Sequence, residues 1–150
     1  MKILVATDGT EFGEAAVKKA CEIAGSREDT EIEVISVYET PAMTVAGPYM
    51  GAPIFYPELV EGAKAVARGS ASRAQSRVNT QCPAVAVNSV VCMGGPAQMI
   101  LEAAKDWGAD LIVVGSHGYG FFGRAFHGSV SDEVVHHAPC SVLVVREIEK

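Results

Sequence analysis

Two short, wholly apolar runs, Leu111-Ile112-Val113-Val114 and Val142-Leu143-Val144-Val145, constrain this chain more than any other feature. Four aliphatic residues in a row, without polar alternation, suit a strand buried on both faces, and such strands belong to parallel sheets with helices packed on either side. The rest of the chain supplies those helices. Residues 2–7 read as a first strand, followed by the turn Asp8-Gly9-Thr10 and a helix carrying Phe12, Ala16, Ala20 and Ile23 at helical spacing. Glu11 and Glu14 stand where the helix dipole favours negative charge, and Gly25 stops the helix. Ile32, Val34, Ser36 and Val37 mark a second strand. Leu59, Ala63, Val66, Ser70, Ala74 and Val78 set the apolar spacing of a second helix over 58–78, and residues 84–92 alternate as a third strand. Gly94-Gly95-Pro96 opens a third helix with Ile100, Ala103 and Trp107 inward, and Gly108 ends it. A last helix over 129–138 is closed by Pro139.

The order is therefore βαβαβαβαβ. It predicts an α/β fold, one doubly wound domain over 1–150 with a five-stranded parallel sheet and helices on both faces. Ligands of such sheets bind at the carboxyl ends of the strands, where the strand order reverses. If the first strand neighbours the fourth, the loops starting at Asp8 and Gly115 meet there. The connection over 38–57, with four prolines, two glycines and the apolar Met43, Tyr49, Met50, Phe55 and Tyr56, reads either as a lid or as a simple connector.

Composition narrows the functions. Of the 150 residues 49% are hydrophobic and 20% charged, an ordinary globular balance. The net charge of −6 offers no broad positive field, which argues against nucleic acid as a partner. No apolar stretch approaches the roughly 18 to 20 residues of a membrane helix, and Asp8 interrupts the first apolar run where a signal peptide would continue. A cytoplasmic protein is expected. Cys21, Cys82, Cys92 and Cys140 form no C-x-x-C pair and are expected to be reduced, structural thiols. His136 and His137 are adjacent but point about 100° apart on a helix, so a metal site is not expected.

The chemistry concentrates after the fourth strand, where five glycines fall within residues 115–128. Glycine is suited to places where backbone must turn sharply or approach a ligand closely with its N–H groups free to meet an anion. A helix N-terminus follows directly, adding its own unpaired N–H groups and dipole, so the segment reads as a phosphate site. Ser129 and Ser131 either cap that helix or donate to phosphate oxygens. The spacing Gly118-x-Gly120-x-x-Gly123 fits a dinucleotide fingerprint only by letters, because the helix begins later. Gly123-x-x-x-x-Gly128-Ser129 has P-loop spacing with Ser129 where the lysine belongs, which weakens the case for phosphoryl transfer. His117 and Arg124 are secondary candidates for phosphate contact.

Gly115-x-x-Gly118, nine residues, then Gly128-Ser129 resembles the nucleotide-binding signature of the universal stress proteins. The resemblance extends to the opening Ile-Leu-Val-Ala-Thr-Asp-Gly, to residues 109–118 and to the closing Pro-Cys-Ser-Val-Leu-Val-Val. It implies ATP or AMP as ligand; by charge alone, a triphosphate beside a carboxylate calls for a divalent cation such as Mg²⁺. Gly115, Gly118, Gly128, Ser129, Val130 and Ser131 would hold phosphate and ribose, and Thr7, Asp8 and Val37 would line the nucleoside end. An ionised Asp8 suits a base or ribose donor better than a triphosphate. The resemblance also implies a homodimer paired through residues 142–146. The nine-residue spacer departs from the pattern by two extra glycines and Phe121, Phe122 and Phe126. Four functions stay open: a nucleotide-binding stress-response regulator with an unidentified protein partner, a slow ATP hydrolase or autophosphorylating protein, a partner-binding dimer that uses no nucleotide, and, behind these, a redox function for the cysteines, none of which has a neighbour in the sequence that would lower its pKa.

Overall fold

The computed structural model describes residues 1–40, 42–43, 54–116 and 130–146. Its elements, in chain order, are β1 (Lys2–Ala6), α1 (Glu11–Ala24), β2 (Glu31–Tyr38), β3 (Ala42–Met43), β4 (Ile54–Phe55), α2 (Pro57–Gln81), β5 (Ala86–Met93), α3 (Pro96–Trp107), β6 (Leu111–Ser116), α4 (Val130–His137) and β7 (Ser141–Arg146). Strands β5, β2, β1, β6 and β7 lie side by side in that order as one parallel sheet. β1 is central, with Val5 opposite Val34 of β2 and Val113 of β6, so the first strand does neighbour the fourth strand of the main sheet.

The apolar runs work as two-faced strands. Ile3 and Val5 of β1, Ile32 and Val34 of β2 and Val113 of β6 enter one core, with α1 and α2 above it; Leu4, Ile35, Ile112 and Val114 enter the other, beneath α3 and α4. The helices meet the sheet largely through small side chains, Ala16, Ala20 and Ala24 on α1, Ala67, Ala71 and Ala74 on α2, and Ala97 and Ala104 on α3. Small contact residues let helix axes approach the sheet closely while keeping the interior filled.

Two expectations are corrected. The connection over 38–57 contains a two-residue antiparallel pair, Ala42 opposite Phe55 and Met43 opposite Ile54. The stripe expected along the second helix holds only in its later turns: Ala67, Ser70, Ala71, Ala74 and Val78 are buried, whereas Leu59 and Val66 are 43% and 66% exposed. A 25-residue helix is about 37 Å long, while an eight-residue strand spans about 26 Å, so the first turns of α2 outreach the sheet.

Helix ends follow local chemistry. Thr10 caps α1 through its hydroxyl, Pro96 occupies the first turn of α3, and Gly25 and Gly108 receive α1 and α3 at their C-termini. The start of α4 expected at Gly128-Ser129 falls outside the described residues. No helix among the described residues is long and apolar enough to cross a membrane.

Candidate functional site

The carboxyl ends of β2, β1 and β6 stand side by side and bring together residues far apart in sequence. After Ala6 the β1 ladder continues one step, with the Thr7 N–H donating to the Ile35 carbonyl at 3.0 Å. The side chain of Thr7, 5% exposed, turns inward and accepts from the Gly9 N–H at 3.2 Å. Asp8 is exposed, and its Oδ1 accepts from both the N–H and the hydroxyl of Thr10, at 2.9 and 2.6 Å. An Asp side chain bonded two residues ahead closes a local turn and fixes its own orientation. The Thr10 hydroxyl in turn accepts from the Gly13 N–H at 3.5 Å, seating the first turn of α1 beside the Asp8 carboxylate.

Glycines make this close seating possible. A Cβ on Gly13 would lie 2.6 Å from Thr7 Oγ1 and 3.0 Å from Asp8 Oδ1, and one on Gly115 would lie 2.3 Å from the Phe12 carbonyl oxygen. The glycine at 115, expected as a contact to ligand, is thus also required by the packing of β6 against the start of α1. Gly9, at φ +81°, lies beneath Ser70 and Arg73 of α2; a Cβ there would be 2.4 Å from the Ser70 hydroxyl and 3.0 Å from the guanidinium. Arg73 donates to Ser70 at 3.4 Å, which places a cation above the turn that carries Asp8.

Of the residues singled out from sequence, Thr7, Asp8 and Gly115 converge at the junction of β1 and β6. Val37 is half-buried near the end of β2, in the core shared with α3, and faces Cys92 across the β2–β5 ladder. Val130 and Ser131 begin α4, Val130 being exposed and Ser131 buried. Gly118, Gly128 and Ser129 lie outside the described residues, as do His117, Arg124, Phe121, Phe122 and Phe126. Phe12, Gly13, Ser70 and Arg73 were missed. A glycine in the first turn of a helix was the available signal for Gly13; nothing local marks Ser70 or Arg73, which reach the turn from sixty residues away.

Electrostatics away from this junction are quieter. His136 and His137 each place Nδ1 on the carbonyl one turn back, at 2.8 Å from Asp132 and 3.0 Å from Glu133. Among the described residues, no three potential metal ligands cluster. Burial pushes the Cys92 and Cys140 thiols up, with nearby carboxylates adding to the effect. Glu33, on the α3 side of β2 and 8% exposed, has its carboxyl raised by burial, against an opposing hydrogen bond from Asn88 at 3.5 Å and the charge of Lys2.

Residues 1–146 match the universal stress protein family. A universal stress protein of Thermus aquaticus, encoded in the 3′ region of a QAH/OAS sulfhydrylase, is 37% identical over 147 residues, covering 96% of this chain and 97% of its own. The solved structure of UspA from Lactobacillus plantarum superposes with a TM-score of 0.75 at 29% identity, covering 97% of each chain. A family protein from Arabidopsis thaliana, solved with AMP bound, shares the fold with a TM-score of 0.72 at 21% identity, covering 99% of this chain and 92% of its own. The α/β sheet, its strand order and these whole-length likenesses together lead to one conclusion: the chain belongs to the universal stress protein family.

Proposed function

We propose that this protein binds an adenine nucleotide, ATP or AMP, across the carboxyl ends of β1, β2 and β6, and acts as a cytoplasmic, homodimeric regulator in the stress response. The observation that carries this reading is the convergence of the Thr7–Asp8 turn with Gly115 at the point where the sheet order reverses, the position at which open α/β sheets take their ligands. AMP in the Arabidopsis relative supports the choice of nucleotide. In this reading Asp8, already oriented by Thr10, accepts from an adenine amino group or a ribose hydroxyl, Thr7 supports that turn, and Val37 lines the apolar side of the base. Gly115, Gly118, Gly128, Ser129, Val130 and Ser131 surround phosphate and ribose with backbone N–H groups and hydroxyls, and Mg²⁺ accompanies a triphosphate. β7 pairs only with β6 among the described residues, and a second copy laid along residues 142–146 covers that edge. Nucleotide occupancy then sets which protein partner is engaged.

The test is to purify the protein without added nucleotide, denature it, and identify released small molecules by mass spectrometry, with Gly118 and Gly128 replaced by bulkier residues in parallel. AMP, ADP or ATP from the parent and none from the variants is the expected result. No released nucleotide, together with no heat of ATP binding at millimolar ligand, overturns the reading.

A further inference from the structure

The sequence separates Cys21 from Cys82 by sixty residues, and the fold brings them together. Helices α1 and α2 both follow strands of a parallel sheet and cover the same face, so they run in the same sense and finish side by side. Cys21 lies in the last turn of α1 and Cys82 is the residue that ends α2, its N–H donating to the Val78 carbonyl at 2.8 Å. Both are buried, at 7% and 4% exposure, in the same core as Ala20, Ala24, Val78 and Val85. Cys82 lies close enough to Cys21 to act on its thiol. A shallow, open depression lined by Lys18, Cys21, Glu22 and Gln81 leads from the surface to the Cys21 side of the pair. This dithiol lies at the amino end of the sheet, opposite the Asp8 turn, and the proposed nucleotide site makes no use of it.

We propose that Cys21 and Cys82 are a redox pair, closed by hydrogen peroxide into a disulfide that ties the C-terminal ends of α1 and α2. One sulfur, as thiolate, attacks the peroxide O–O bond, becoming a sulfenic acid and releasing hydroxide that is protonated to water. The second sulfur attacks the sulfenic sulfur, the S–S bond forms, and the departing hydroxide leaves as water with the second thiol's proton. Two thiols are oxidised and one peroxide is reduced to two waters. Burial, with Cys82 alongside, pushes the Cys21 thiol up to about 12, against the charge of Arg77 and with Glu22 adding to the rise. The Cys21 thiol is therefore guarded at neutral pH, and its attack on peroxide quickens as pH rises. The tie also holds in register two helices that both touch the site turn, α1 through Thr10 and α2 through Ser70 and Arg73.

The experiment treats the folded full-length Cys92→Ser variant with peroxide at pH 7 and pH 9, blocks remaining thiols under denaturing conditions with N-ethylmaleimide, and reads intact mass and a non-reducing peptide map. The Cys92 change is needed because no lysine or arginine separates Cys82 from Cys92, so trypsin leaves both on one peptide. Expected are a loss of two blocked thiols, a crosslinked peptide pair holding Cys21 and Cys82, reversal by dithiothreitol, closure on the order of tenfold or more faster at pH 9, and a Tm raised by roughly 5 to 10 °C in the oxidised form. Full alkylation of both thiols after peroxide, oxygen addition without a crosslink, or a crosslink that runs to Cys140 overturns the proposal. The wild-type chain, mapped with fragmentation between residues 82 and 92, gives the same decision if the variant folds poorly.

Discussion

The two ends of the parallel sheet use glycine for different physical purposes. At the amino end, Gly25 and Gly108 have φ of +58° and +72°, and a Cβ on either would meet nothing within 4 Å. They release a helix into the next strand by adopting a backbone conformation that other residues resist. The connections they serve are tied by short bonds: Met1 N to the Asp29 carbonyl at 2.7 Å, Lys2 N to Asp110 Oδ2 at 2.7 Å, and Asp110 N to the Lys2 carbonyl at 2.9 Å. At the carboxyl end, Gly13 and Gly115 have no positive φ; they are glycine because any side chain would strike Thr7, Asp8 or the Phe12 carbonyl. The amino-end pair needs dihedral freedom alone, whereas the carboxyl end needs absent volume, with Gly9 and Gly94 there needing a positive φ as well. The contrast teaches that the end bearing the candidate site is the more crowded, with side chains and backbone wedged around the Asp8 turn.

Substitutions can break that comparison. The largest effect is expected for Gly115→Ala. Its Cβ would be driven against backbone, which cannot rotate away, so stability should fall by about 3 kcal/mol or more, read as a drop in urea midpoint. A loss below about 1 kcal/mol would show that α1 can lift away from β6 and that the crowding is slack. Gly108→Ala meets only the dihedral penalty and should cost about 1 kcal/mol, with Gly108→Asn recovering part of it because asparagine tolerates the left-handed region. If Asn proves as costly as a clash, the open surroundings of that turn are not what they look like.

The smallest expected effect sharpens the amino end electrostatically. Glu33 has a carboxyl raised in the folded chain, so the folded state holds its proton more tightly than the unfolded one. That contribution favours folding below the unfolded carboxyl range, near pH 4, and is lost as pH rises through the higher folded value. Glu33→Gln keeps an acceptor for Asn88 and removes the buried charge. A small rise in Tm at pH 7 that shrinks toward pH 4 is expected in thermal melts; a fall at pH 7 would mean that Lys2 and Asn88 outweigh the desolvation.

The main sheet was readable because its signals are local. Leu111–Val114 could be only a two-faced strand, Gly108 and Pro96 punctuate α3 at their own positions, and Thr10 with Glu11 and Glu14 announces α1. Of the candidate site, Asp8 and Gly115 could be singled out by their place at strand ends, and Thr7 by the family resemblance. Arg73 above Gly9, Phe12 against Gly115 and the exposure of Val66 could not, since each depends on which helix turn lands over which strand end. The same holds for Cys21 and Cys82, which carry no spacing motif and meet only because α1 and α2 finish together.

The sequence by itself determined the order of the main-sheet strands and the helices, the ends of α1 and α3, and the family to which the chain belongs. Periodicity, caps and turn residues act over a few positions, and a family signature is a string of letters. Tertiary structure alone decided the strand order β5-β2-β1-β6-β7, the reason Gly115 carries no side chain, and the pairing of two distant thiols. Those follow from how whole elements pack, where residues sixty or a hundred positions apart come within a few ångströms and no local pattern records the encounter.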